Sequence, residues 1–302
     1  MKFSLSTHWN ARRHTSGEAL VEEVINLGID RIELSYNLQS HLVPGIRKMI
    51  DEHVIEVTSV HNFCPVLPAA PAGHPEVYTL ASSSKTIREA AVYHTAKTIR
   101  FAAEVGATVV IIHCGNVEMK NYTKKLVQLY RTGKRLSNVY EKTKFDLLQT
   151  REKKVAFHLG HLIDGLNRLK PVLSDAGIRL GLENLPSWEA IPTELECRSL
   201  IKKLGTDCFC YWHDIGHGQI KENLGLVSQL KSLETLSPFL GGMHIHDVAS
   251  GVHDHIMPPM GSVDFPSLKK FAGADILRVL EPSPRITTSQ VKQGLAILKE
   301  QW

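Results

Sequence analysis

The chain has 302 residues, 43% hydrophobic and 22% charged, which is the balance of a folded globular protein and excludes a mainly disordered one. Lys and Arg number 35 against 31 Asp and Glu, a formal charge of +4 that is too mild to imply a nucleic-acid or membrane partner by itself. No apolar run approaches the roughly 20 residues that span a bilayer, whereas sixteen histidines are an excess of the commonest metal ligand.

In chain order, short runs rich in Val, Ile and Leu predict strands at Lys2–Ser6, Arg31–Leu34, Glu56–Val60, Val109–Ile112, Arg179–Leu182, Cys208–Trp212, Gly242–Ile245 and Leu277–Leu280. Between them, apolar residues at helical spacing predict helices at Ser16–Leu27, Ser84–Val105, Glu152–Ala176, Thr193–Leu204 and Thr288–Lys299. The first four are followed directly by Gly28, Gly106, Gly177 and Gly205. Repeated helix–Gly–strand order indicates an α/β fold with parallel strands. Eight repeats in one chain fit a (β/α)8 TIM barrel better than an open sheet. No linker composition marks a boundary, so one domain over 1–302 is expected.

Residues 118–154 depart from the pattern and read as a basic helical insertion after the fourth strand. Lys120–Lys154 holds eleven Lys or Arg and three Asp or Glu, a local charge of +8, so the rest of the chain sums to −4. A solvated helical face accounts for such a run. A cationic lid over an anionic substrate, or a phosphate-binding patch, is the functional alternative. Cys64, Cys114, Cys197, Cys208 and Cys210 have no framework spacing, and five is an odd count. They read as reduced thiols. With no signal-peptide pattern at the start, a cytoplasmic protein is expected.

In a barrel of this type the chemistry lies where the strands end. There the sequence places His61, His113, Glu183, then His213, Asp214 and His217, then His244, His246 and Asp247, and finally Glu281. The loop after the seventh strand adds His253, Asp254 and His255. A lone histidine is usually an ordinary hydrogen-bonded residue. A carboxylate closing an apolar strand is more telling, because its burial is costly unless paired or metal-bound. Jointly, imidazole and carboxylate donors without thiolate point to one or more divalent ions, with Mn, Co, Zn or Fe as candidates.

These motifs, SVHNFCP, VVIIHCGN, LGLENLP, WHDIGHG, GMHIHDV and VLEPSP, occur in the order of the xylose isomerase-like TIM barrels, and the chain resembles that superfamily along nearly its whole length. It contains sugar and sugar-phosphate isomerases and epimerases, and endonuclease IV. The resemblance to its single-metal ketose epimerases implies Glu183, Asp214, His244 and Glu281 as ligands, with His246 as the alternative to His244. It implies Glu183 and Glu281 as the catalytic pair, acting by proton transfer next to a carbonyl through a metal-stabilised enediolate. His217, Glu189 and Trp188 then contact a carbohydrate-like substrate. The arginine those epimerases place after the seventh strand is missing from Asp247–Val263. The resemblance to endonuclease IV implies a rival, a multinuclear zinc phosphodiesterase acting on abasic DNA. There His61, His113, Glu183, Asp214, His217, His244, His255 and Glu281 match eight of nine ligands, and His253 stands where the ninth is Asp. Nucleic acid is a partner only under that rival, a membrane under neither, and a homo-oligomer fits both.

Overall fold

The computed structural model describes residues 2–302. Among them, eight parallel strands close into a barrel: β1 (Ser4–Ser6), β2 (Arg31–Leu34), β3 (Glu56–His61), β4 (Val109–Ile112), β5 (Arg179–Glu183), β6 (Phe209–Asp214), β7 (Leu240–Ile245) and β10 (Leu277–Leu280). Between the last two lies an antiparallel hairpin, β8 (Asp247–Ala249) and β9 (His253–Ile256). β10 pairs with both β7 and β1, which closes the sheet.

The helices are α1 (Gly17–Ile25), α2 (Val43–Asp51), α3 (Lys85–Glu104), α4 (Tyr122–Arg131), α5 (Asn138–Ala176), α6 (Glu194–Leu204), α7 (Ile215–Asn223), α8 (Gln229–Leu236), α9 (Phe265–Leu268) and α10 (Thr288–Gln301). Their starts follow local chemistry. Ser16, Ser84, Ser137, Thr193 and Thr287 each accept a backbone N–H of the first turn, and Thr193 with Glu196 forms a full capping box. Gly177 ends α5 in the left-handed region at φ 66°, where a side chain would be strained.

The strand pleat decides what faces the barrel axis. Val109, Ile111, Cys210, Trp212 and Val279 form their own apolar cluster, each at most 1% exposed. In register they lie beside Ser59, His61, Gly181, Gly242 and His244. Gly242 admits the Trp212 indole, since a Cβ there would lie 2.2 Å from Trp212 Cζ3. The axis below the site is therefore filled by side chains, as expected of a barrel of this size. The larger core lies between strands and helices.

The basic segment is helical. It comprises α4 and the first half of α5, a single 39-residue helix that continues as an outer helix of the barrel. Leu126, Tyr140 and Leu147 from these helices pack with Ile220, Leu224, Val248 and Val252 in a second core. That core fastens the two helices to α7 and the hairpin at the barrel mouth. Several of the basic chains are internal braces. Arg151 is bidentate to Glu196 at 2.6 and 2.8 Å, Lys154 reaches Glu118 O, and Lys144 reaches Gly225 O.

Candidate metal centre

One pleat beyond the apolar cluster, the same inward positions carry His61, His113, Glu183, Asp214, His244 and Glu281. They converge. His244 Nδ1 lies 3.1 Å from Glu183 Oε1, 3.4 Å from Glu281 Oε2 and 3.8 Å from Asp214 Oδ2. His61 Nε2 and His113 Nε2 approach Glu183 Oε2 at 3.3 and 3.1 Å. On the other side, His217 Nδ1 lies 3.5 Å from Asp214 Oδ2, and His255 Nδ1 lies 3.8 Å from Glu281 Oε2. Donor atoms of Glu183, Asp214 and His244 lie within 4.8 Å of one another, as do those of His61, His113 and Glu183, and those of His217, His246 and His255.

Four of the rings are held at Nδ1. His61, His217 and His255 direct Nδ1 at the carbonyls of Asn62, Asn184 and Glu281, at 3.0–3.1 Å. His113 directs Nδ1 at Glu76, 3.2 Å away. In these four rings Nε2 is the remaining donor. His246 differs, because Nδ1 accepts the His255 backbone N–H at 3.0 Å and Nε2 lies 2.9 Å from Asp214 Oδ2. The tautomer that satisfies both contacts carries its proton on Nε2 and donates it to Asp214. Asp214 is engaged at both oxygens, since Oδ1 accepts the His217 N–H and caps α7.

The residues fit a divalent cation. Glu33, Glu183, Asp214 and Glu281 are buried together at 0%, 3%, 0% and 4% exposure. Carboxylates this close repel one another unless a cation compensates them. Glu183 Oε2 is buried without a hydrogen-bond partner among the described residues. The donors are nitrogen and oxygen, which suits Zn, Mn, Fe or Co.

Proton affinities diverge across the cluster. Burial pushes Glu183 up, but His244 and His113 outweigh it and hold the carboxyl well below the ordinary range. Burial pushes Glu281 up to about 8; His244 opposes this, while Glu183 and Glu33 add to it. For His113, burial acts downward, and Glu183 and Glu76 together raise it to about 10.

Other expected site residues lie elsewhere. His253 is exposed on β9, and its neighbour Asp254 is the one that turns inward, 4.0 Å from His217 Nε2. Glu189 accepts the backbone N–H groups of Tyr122 and Thr123 at 2.6 and 2.9 Å, so its carboxylate anchors the start of α4. Trp188 packs against the second core, with the Arg151 guanidinium 5.9 Å from its ring centre. Glu189 still borders a groove of about 410 Å³ beside His113, lined also by Glu76, Asn116, Asn121 and Ser187. His8 and Tyr36 cover the opposite side, with Tyr36 packed edge-on to His61 and His8 beside His255.

Sequence reasoning passed over Glu33, Glu76 and Tyr36. A signal existed for Glu33, a carboxylate inside the apolar run Arg31–Leu34. The other two sit in ordinary loop sequence and carried none.

The family model for the xylose isomerase-like TIM barrel matches residues 21–300. The chain belongs to that family. In structure it is similar to the 3-keto-D-glucoside 4-epimerase YcjR from E. coli, with TM-score 0.72, 18% identity and 99% of each chain covered. It is also similar to an L-ribulose 3-epimerase (TM-score 0.71, 16% identity, 100% of this chain and 94% of that one). A D-allulose 3-epimerase from Methylomonas sp. gives TM-score 0.68 at 15% identity, over 100% and 97%. At these identities the likeness is one of fold. Among curated proteins, an uncharacterised protein of Methanocaldococcus jannaschii is 26% identical over 112 residues, 37% of this chain and 41% of that protein. The family's barrel thus spans the site residues from His61 to Glu281. Among the described residues no helix is long and apolar enough to cross a membrane.

Proposed function

We propose that this family member is a divalent-metal-dependent isomerase or epimerase that moves a proton next to a carbonyl in a sugar, sugar phosphate or related polyol. One observation carries the reading. Two buried carboxylates, Glu183 and Glu281, flank His244 Nδ1 at 3.1 and 3.4 Å, with Asp214 3.8 Å away. Two carboxylates on either side of one bound substrate can take a proton on one side and return one on the other.

Glu183, Asp214, His244 and Glu281 are the residues that would hold the ion. When bound, it polarises the substrate's carbonyl and adjacent hydroxyl as a Lewis acid. Glu183, held ionised, is the general base that takes the carbon-bound proton. Glu281, on the other flank of His244 Nδ1, returns a proton to the carbon. His217, its Nδ1 held by Asn184 O, presents Nε2 to a substrate hydroxyl. The apolar cluster beneath them closes the floor of the site to water. A groove of about 410 Å³, bordered by Glu76 and Glu189, is large enough for a sugar-sized molecule, and Glu76 on its wall lies 3.2 Å from His113. Similarity in fold to three sugar epimerases supports the substrate class.

A multinuclear zinc phosphodiesterase is the second reading, favoured by the group His61–His113–Glu183 on one side of the central one and by His217 and His255 on the other. One experiment separates the two. Protein purified without chelator or immobilised nickel is assayed for metal, then incubated in D2O with ketoses, aldoses and their phosphates. The expected result is metal-dependent deuterium uptake next to the carbonyl. Glu183→Gln and Glu281→Gln should each lower it by about 10²–10⁴-fold. Two or three zinc ions, cleavage of abasic DNA and no exchange on any sugar would overturn the proposal.

A further inference from the structure

Glu33 lies in the middle of β2, three strands around the barrel from β7 by way of β1 and β10, and is 0% exposed. Its Oε2 is 3.2 Å from His244 Nε2 and accepts the Ser59 hydroxyl at 2.8 Å, while Oε1 is 3.3 Å from the same Nε2. A register shift between β2 and β3 brings Ser59 opposite Glu33. The His244 ring therefore stands between two groups of acids. Glu183, Glu281 and Asp214 gather at Nδ1, and Glu33 alone takes Nε2.

We propose that Glu33 is a positioning residue that acts through His244. By accepting the Nε2–H it holds the ring as the tautomer whose Nδ1 lone pair faces Glu183 and Glu281, and it raises the basicity of that nitrogen. Carboxylates behind a ligating imidazole act in this way. Glu33 meets the ring at Nε2, the edge away from Nδ1; because donor atoms of Glu33, His244 and Glu281 also lie within 4.8 Å of one another, the test must tell a positioning role from a ligand role. Ser59 fixes the carboxylate from behind, so its orientation does not depend on the ion. The inference rests on the reading that His244 holds a divalent ion through Nδ1.

The test measures metal binding rather than turnover. The full chain is stripped with chelator, and its affinities for Zn and Co are measured by competition with a chromophoric chelator. The Co(II) visible spectrum reports the coordination sphere. Glu33→Gln, which keeps shape but removes charge, should bind about 10–100-fold more weakly. Its Co(II) bands should shift without the intensity change that marks a lost ligand, and its metal-free circular dichroism should match wild type. Glu33→Asp, which keeps the charge but withdraws it, should be intermediate, and it carries the test if Glu33→Gln does not fold. Wild-type affinity in folded variants would overturn the proposal. So would a Co(II) spectrum showing one ligand fewer, which would make Glu33 a ligand itself. Failure of the wild-type chain to bind any metal would sink the metal centre as a whole, whereas wild-type binding untouched by both substitutions would sink only the role of Glu33.

Discussion

At the residue scale, burial sets what each charged group can do. Lys221 and Glu194 form a buried ion pair at 2% and 4% exposure, joining α7 to α6. Burial pushes Glu194 up, and the Lys221 charge overcomes it and holds the carboxyl below its ordinary value. Glu194→Gln leaves a buried ammonium without its counter-charge, and a loss of about 3–5 kcal/mol in urea unfolding is expected. A loss under 1 kcal/mol would show that water reaches Lys221. His213 offers a pH prediction. It sits between the Tyr211 hydroxyl at 2.7 Å and Gln229 Oε1 at 3.0 Å, and burial pushes it down to about 4. The unfolded chain takes up this proton near 6.5, so below that pH it binds more protons than the folded one. Stability should fall as pH drops from about 6.5 to about 4, by up to about 1.4 kcal/mol per unit from this group. Unfolding midpoints at pH 7 and 5 should differ less in His213→Gln than in wild type. An equal difference would assign the acid sensitivity to other histidines. His213 also shows why histidine number is a poor guide to ligands: the pleat turns it outward to α8, while its neighbour Asp214 faces the site.

At the element scale, strands were more legible than helices. Arg31–Leu34, Val109–Ile112 and Leu277–Leu280 coincide with β2, β4 and β10, because a strand buried on both faces is a short unbroken apolar run. β6 and β7 reach further than their apolar runs. β6 includes His213 and Asp214, polar residues that hydropathy excludes but the ladder to β7 keeps extended. Helix α5 begins at Asn138, fourteen residues before the expected Glu152. Its first half is charged on most faces and takes its stability from Tyr140 and Leu147 packing on α7 and the hairpin. Helix α7, with two glycines and a histidine in nine residues, has little propensity of its own. It forms because Asp214 caps it and the barrel mouth covers it. Gly242 supplies the prediction at this scale. Gly242→Ala places a methyl 2.2 Å from Trp212 Cζ3, inside closed packing. Overpacking should cost about 1–3 kcal/mol by thermal or urea unfolding. An unchanged midpoint would mean that the indole has room to move.

At the scale of the whole molecule, the proposed metal centre joins strands that are far apart in the chain. β3, β4, β5, β6, β7 and β10 each bring a donor, so an ion that binds only the folded barrel must stabilise it globally. Metal at about 100 times its Kd should add about 2.7 kcal/mol over the stripped protein, read as a higher Tm on reconstitution. Equal melting with and without Zn or Mn would remove the divalent ion from the account. The basic segment also becomes intelligible at this scale. Its charge of +8 reads locally as a solvated helical face, with an anion-binding surface as the alternative, and three of its eleven basic residues, Arg151, Lys144 and Lys154, brace α5 against Glu196, Gly225 and Glu118.

The amino-acid sequence by itself determined the alternation of strand and helix, the donor types and the strand ends on which they fall. These are local quantities, carried by apolar periodicity, caps and a polar residue two places beyond an inward apolar one. Only the tertiary structure decided which donors meet. The His244–Glu33 contact spans 211 residues of chain, and no local period encodes it. His246 turned to Asp214, Glu189 given to the start of α4 and His253 left outside likewise follow from barrel closure, strand register and the fold of the hairpin. Those are properties of pairings between distant segments, not of any one segment.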